Sequence, residues 1–312
     1  MPAVHSLDCF VFSVPDLAEA ARFYTAFGLD VREVDSRLEL YTLGHPHRWG
    51  VVHEHAGQPK KLQFLTFACY DADFPDLVRK ADSAGFSRAE PHALGTKDGL
   101  WLQHPEGFPI QVIVSEKSSP YAKSQPLIEP GVGLGAGAAP NRAKVLPVRP
   151  CRLSHILLFS GDVPASIAFY QDALGLRVTD RSGDVIVFMH GIHGSDHHLI
   201  AMAKSEGPGL HHISWEVANI DEVGKGMEQM IKADYKRGWG VGRHVLGSNY
   251  FRYVRDPWGS YCEYSFDMDF VPGGFTWPAA DHPLHDSLYV WGPELPEDFV
   301  KNYEIDPPSI DT

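Results

Sequence analysis

A chain of 312 residues, 44% hydrophobic and 21% charged, carries enough apolar side chain for a full core and fits a globular protein of one or two domains. Its formal charge of −13 argues against nucleic acid or an anionic membrane as a partner, since both demand concentrated Lys and Arg. There is no apolar run of membrane-helix length and no basic or apolar leader, and Cys9, Cys69, Cys151 and Cys262 lie far apart with no C-x-x-C, so the expectation is a cytoplasmic protein with reduced thiols and no membrane partner.

In chain order, Leu7–Ser13 reads as a strand and Pro15–Phe27 as a helix closed by Gly28, followed by short strands at Val31–Val34, Leu38–Thr42 and Trp49–His53. This is a βαβββ unit. A second unit begins with strand Leu62–Cys69 and a helix near Phe74–Ala84, and closes with strands at Leu100–Gln103 and Ile110–Val114. From Ser115 to Pro150 the composition shifts to Gly, Pro, Ala and Ser, as expected of a connector. The order then repeats: Phe10, Phe23-Tyr24 and Gly28-Leu29 are echoed by Leu157, Phe169-Tyr170 and Gly175-Leu176. A fourth unit has strand Leu210–Val217, helix Ile220–Ala233 and a strand pair, Ser248–Arg255 and Ser260–Phe266, turned by Asp256-Pro257-Trp258-Gly259.

No single unit can cover its own sheet, so pairs of units are expected to pack together. The fold expected is therefore α+β: four βαβββ modules in two paired domains, each a half-open, barrel-like mixed sheet with outer helices. The division reads as an N-terminal domain (1–115), a Gly/Pro-rich linker (116–150), a C-terminal domain (151–268) and a tail (269–312) whose Leu288–Trp291 stretch is either an added edge strand or a lid.

Three strands carry a polar group where an apolar one belongs. His155 lies in Arg152–Phe159, His212 in Leu210–Val217, and Glu263 among Tyr261, Cys262, Tyr264 and Phe266. A buried carboxylate costs several kcal/mol unless it is paired or ligates a metal. Two imidazoles and a carboxylate with open coordination positions make Fe(II) the first expectation and Mn(II) the second. Laying the halves over each other puts Asp8, Phe64 and Gln111 opposite His155, His212 and Glu263, so metal is expected in the C-terminal half alone. His53-Glu54-His55 has two imidazoles on one strand face but no third ligand nearby, and His45, His47, His282 and His285 read as loop residues.

The stretch Gly242-Arg-His244, Arg252-Tyr253, Asp256-Pro257-Trp258-Gly259 and Glu263 resembles the signature of the type I extradiol ring-cleavage dioxygenases of the vicinal oxygen chelate superfamily, and the four-unit plan of the whole chain is similar to theirs. Arg252 departs from the pattern, which has an apolar residue there. The resemblance implies His155, His212 and Glu263 as metal ligands and His198, the second histidine of Asp196-His-His198, as acid/base. It implies His244 and Tyr253 as further catalytic residues touching substrate or oxygen. Of His197 and His198, neighbours on a strand, only one can face inward. The activity implied is insertion of both atoms of O2 beside the diol of a catechol-type aromatic, in aromatic-compound degradation, by a homo-oligomer. The alternatives are another metal-dependent enzyme of that superfamily, an isomerase or transferase, and a metal-free protein binding a small ligand.

Overall fold

A computed structural model describes residues 1–126 and 139–307. The N-terminal half runs β1 (Val4–Val14), α1 (Leu17–Phe27), β2 (Asp30–Val34), β3 (Arg37–Tyr41), β4 (Gly50–Glu54), β5 (Lys61–Cys69), α2 (Phe74–Ser83), β6 (Leu100–Gln103) and β7 (Pro109–Val114). The C-terminal half runs β8 (Arg152–Ser160), α3 (Val163–Asp172), β9 (Arg177–Ser182), β10 (Ile186–His190), β11 (Ser195–Asp196), β12 (Ile200–Lys204), β13 (Gly209–Glu216), α4 (Ile220–Lys232), β14 (Gly238–His244), β15 (Tyr250–Arg255) and β16 (Tyr261–Phe266). A tail adds β17 (Phe270–Val271), β18 (Ala280–Asp281) and β19 (Tyr289–Trp291). Of the expected connector, residues 127–138 lie outside those described.

Local chemistry sets the helix ends. Asp16, Asp162 and Asn219 accept the backbone N–H of Glu19, Ala165 and Glu222, each at 3.0 Å, and so start α1, α3 and α4. Helix α1 therefore begins at Leu17, after the cap, and not at Pro15. Gly28 ends it at φ +104, where a Cβ would also meet the Val148 carbonyl at 2.2 Å.

Two mixed sheets result, a seven-stranded one of order β2-β3-β4-β1-β5-β7-β6 and a ten-stranded one of order β18-β9-β10-β12-β8-β13-β16-β15-β14-β19. The second unit departs from expectation: only β6 and β7 follow α2, and beyond them a single bridge joins Arg88 to Leu102. Its missing strand falls in Phe86–Gly99, where Pro91, Gly95 and a run of exposed polar residues leave Thr96 as the one β-branched side chain and offer no continuous apolar face. Strand β14 is an addition of the opposite kind. Gly238, Gly240 and Gly242 mask its strand character, yet β15 needs them: a Cβ on Gly238 would meet the Tyr253 carbonyl at 2.0 Å, Gly240 lies against Phe251, and a Cβ on Gly242 would come within 2.5 Å of the Phe251 ring.

The ten-stranded sheet has to curl. The eight residue-to-residue steps from Asp281 to Tyr289 can reach at most about 28 Å, whereas nine flat interstrand spacings would need about 43 Å, and yet β18 pairs with β9 at one edge and β19 with β14 at the other. The tail thus straps the open side of the sheet.

The two halves share one apolar core, in which Phe27 stacks on Tyr264 at 3.9 Å and Phe10 meets Trp215 edge-on. The Tyr264 hydroxyl donates to the Phe27 carbonyl, Lys60 pairs with Asp256, and one Glu304 oxygen accepts from both Leu62 N and Leu210 N. No helix among the described residues is long and apolar enough to cross a membrane.

Candidate metal centre

Strands β8, β13 and β16 are neighbours in the middle of the ten-stranded sheet, with His155 opposite Ser214 and Ser214 opposite Glu263. Strand alternation turns His212, two residues before Ser214, to the same face. The consequence is convergence: His155 Nε2 and His212 Nε2 lie 3.1 Å apart, 3.2 and 3.6 Å from Glu263 Oε2. All three side chains are buried, and Glu263 Oε2 accepts no hydrogen bond. Among the described residues this is the sole cluster of three or more such side chains able to hold a metal ion.

The remaining nitrogens of the two rings are occupied. His211 Nε2 lies 2.9 Å from the Phe299 carbonyl and must donate to it; burial pushes the pKa of this imidazole down to about 4, so it is neutral and its Nδ1 accepts. His212 Nδ1, 2.7 Å away, is then the donor, which leaves His212 Nε2 a bare lone pair facing the carboxylate. His155 Nδ1 similarly meets Ser154 Oγ at 3.1 Å, and that hydroxyl reaches Asp196. Glu263 Oε1 accepts from Asn249 Nδ2 at 3.1 Å. Burial alone would raise the Glu263 pKa, but the facing His155 imidazole and that of His244 outweigh it and hold the carboxylate ionised. Two lone pairs and an unbonded carboxylate oxygen pointing at one another suit a divalent cation and little else.

His198, His244 and Tyr253 gather around this cluster and line the same cavity. The His198 ring sits 4.1 Å from that of His155, and His197 turns away to Asp180, as alternation requires. Burial, reinforced by the surrounding histidines, drives the His198 pKa well below its ordinary value. His244 Nδ1 donates to the Leu288 carbonyl at 2.8 Å, so a neutral His244 accepts from the Tyr253 hydroxyl at Nε2, 2.9 Å away. Burial first, and Glu263 second, raise the Tyr253 pKa well above its usual range, so it remains a donor.

The cavity, about 370 Å³, has apolar walls from Leu157, Ile186, Phe188, Leu246 and Phe299 and a roof that includes Leu284, Ser287 and Leu288 of the tail. Leu288–Trp291 is accordingly both things the sequence left open: β19 is an edge strand and Leu288 covers the site. Arg252 lies outside the cavity, its guanidinium donating to the Gly240 and Lys236 carbonyls on the helix side of the sheet. Sequence reasoning missed His211, Ser154 and Asn249. Of these only His211, an extra polar residue beside a ligand in an apolar strand, left a signal.

Residues 152–264 match the family described as the Glyoxalase/Bleomycin resistance protein/Dioxygenase superfamily. The chain is 48% identical over 302 residues to Metapyrocatechase 2 of Cupriavidus necator, covering 97% of this chain and 93% of that one. Its fold is shared by the Mn(II)-bound glyoxalase of Novosphingobium aromaticivorans, with a TM-score of 0.75, 24% identity and coverage of 95% and 94% of the two chains. Homoprotocatechuate 2,3-dioxygenase of Arthrobacter globiformis shares it too, with a TM-score of 0.73, 20% identity and coverage of 96% and 92%. With a whole-length relative at that identity and a two-histidine, one-glutamate centre at the heart of the matched region, the chain belongs to the type I extradiol ring-cleavage dioxygenases of the glyoxalase/bleomycin resistance/dioxygenase superfamily.

Proposed function

We propose that this extradiol dioxygenase holds Fe(II), with Mn(II) as the second choice, between His155, His212 and Glu263 and opens catechol-type rings that carry an uncharged, apolar substituent. The observation that carries the reading is the convergence of two bare imidazole nitrogens and an unbonded carboxylate oxygen within an apolar cavity. Two nitrogens and one oxygen would hold such an ion with positions to spare, and the bound metal would supply Lewis-acid and redox chemistry to a diol and O2. The protein does the rest. His198 faces the cavity beside the ligands, where it can take a proton from the substrate and later return it to the reduced oxygen. Tyr253 and His244 present a hydrogen-bonded pair that orients the ring, and the roof of the cavity excludes water.

The substituent class follows from the walls. The one cationic Lys or Arg side chain among the lining residues is Lys204, which is exposed, and His211 is neutral, so nothing buried would pair with a carboxylate on the substrate. The same reading carries the four-module plan, the domain division at 1–115, 116–150, 151–268 and 269–312, and a homo-oligomer, for which exposed Val290 and Trp291 offer a contact face. It also carries work in the cytoplasm, in keeping with four free cysteines. Anaerobically purified protein should hold one iron per chain and consume one O2 per ring opened, with a higher kcat/KM for an alkylcatechol than for a carboxylated one. Iron-loaded protein that consumes no oxygen with any catechol would refute the reading.

A further inference from the structure

The polar network behind His198 is absorbed by none of the roles above. Asp180, on β9, is buried beneath the tail, and its carboxylate accepts four contacts. Trp277 Nε1 and Ala280 N reach it at 3.1 and 3.0 Å, and neither can do anything but donate. His282 Nε2 meets the same oxygen as Ala280 at 3.0 Å, and His197 Nε2 meets the other at 2.9 Å. Burial by itself would raise the Asp180 pKa, but the bonds from His197, His282 and Ala280 overcome it and hold the value at about 2. An ionised carboxylate only accepts, so His197 Nε2 carries a hydrogen. The His197 backbone is clamped as well, its N–H on the Asp269 carbonyl at 2.6 Å and its carbonyl under Thr179 Oγ1 at 2.7 Å.

The other nitrogen of that ring, His197 Nδ1, lies 3.1 Å from His198 Nδ1. A neutral His197 holds its one hydrogen on Nε2, against the carboxylate, so its Nδ1 accepts and His198 Nδ1 donates. We propose that Asp180 is a positioning residue that, acting through His197, fixes His198 as the tautomer with hydrogen on Nδ1 and a bare Nε2 turned to the cavity. The chain contains the same device a second time. There the Phe299 carbonyl fixes His211, which fixes His212 with its Nε2 bare for the metal. In the first instance the anchor is a carboxylate, and the bare nitrogen faces the place where a catechol would lose its proton. The inference rests on the dioxygenase reading for its consequence in turnover, but not for the tautomer itself.

The test is nitrogen NMR of protein labelled with 15N in the imidazole rings, with Zn(II) in the metal site to keep it diamagnetic and the His198 signals identified by their loss in His198→Gln. The wild-type His198 should show a protonated Nδ1 and a bare Nε2; the reverse pattern overturns the proposal, whether or not any Asp180 variant folds. Asp180→Asn can turn an N–H towards His197 and so reverse both rings. It should retain its iron, keep KM for a catechol within about threefold, and lose kcat on the order of a hundredfold, as expected when an orienting carboxylate becomes an amide. Trp277→Phe removes a donor from Asp180 while keeping a ring and the carboxylate, and should change kcat by no more than about threefold. A loss in Trp277→Phe as large as that in Asp180→Asn would assign the effect to packing and sink the idea. A wild type that cleaves no ring refutes the dioxygenase reading instead, and leaves the nitrogen spectra to decide the tautomer.

Discussion

The inner faces of the two sheets can be compared strand by strand, because their registers agree. In the C-terminal half His155 faces Ser214, Leu157 faces His212 and Tyr253 faces Glu263; in the N-terminal half the same positions pair Cys9 with Thr66, Val11 with Phe64 and Trp101 with Gln111. Where one half keeps a polar hollow, the other is filled: Cys9, Val11, Val51, Phe64 and Trp101 form a buried apolar cluster of their own. Gln111, the counterpart of Glu263, is tied to Thr66, Thr96 and the Asp98 carbonyl. The backbone plan therefore tolerates either a packed interior or a metal centre, and the choice is made by a handful of side chains on one face.

Substitutions can break that comparison, and the largest effect is expected at Glu263. Glu263→Gln keeps the shape and removes the charge, so metal per chain should fall well below one and ring cleavage by at least about a thousandfold, while thermal unfolding stays cooperative. Full metal and activity in this variant would make Glu263 a structural residue. The mirror change, Gln111→Glu, adds a carboxylate where Cys9 and Phe64 offer no imidazole, and elemental analysis should still count one metal per chain.

His198→Gln separates ligand from proton handler within the active half. It should bind iron and substrate normally and turn over roughly a hundred- to ten-thousand-fold more slowly. Loss of iron would make His198 a ligand and the triad wrong.

Phe64→Ala probes the filled half, where the cost should be stability, about 3–5 kcal/mol by denaturant titration, with iron content unchanged. A loss of metal in place of stability would mean that the N-terminal face is no passive filler.

The smallest effect concerns the joint between the halves. His104 stacks on Phe108 and meets Phe169 of α3 edge-on, and burial lowers its pKa from 6.5 to about 3. A buried neutral imidazole contributes full stability above pH 6.5, and the contribution is lost as pH falls from there towards 3. At pH 5 the loss is on the order of 2 kcal/mol. Unfolding curves of the wild type and His104→Leu at pH 7.5 and pH 5 should differ by that much in their pH sensitivity; equal sensitivity would discharge His104 from the acid response.

His155, His212 and Glu263 were legible because each is a polar residue in an apolar strand, an expense a chain does not bear without a ligand or partner. The counterpart of His155 was misread by one residue. Strand β1 has a register shift between Leu7 and Cys9, so Cys9, and not Asp8, occupies the equivalent place; Asp8 lies beside His47 instead, at 3.8 Å. Strand β14 was illegible because its three glycines carry no pattern, and their reason, the Tyr253 carbonyl and Phe251, comes from the next strand. His282, which read as a loop residue, meets Asp180 across 102 positions, and Asn249 reaches Glu263 through a turn that the sequence alone does not define. Contacts of that kind leave no periodicity to read.

The strap from β18 to β19 has a consequence for solubility. A long sheet ends in two rows of unpaired backbone groups, each a template for another chain. Here β9 and β14, the strands that would otherwise form the whole margins, are each covered at two positions by one twelve-residue stretch, Ala280–Trp291. That interrupts both margins and shortens the free run that a second molecule could pair with. A chain cut before Ala280 would uncover two full-length strands in a single event, and the first symptom of the damage would be fibrous or amorphous aggregate.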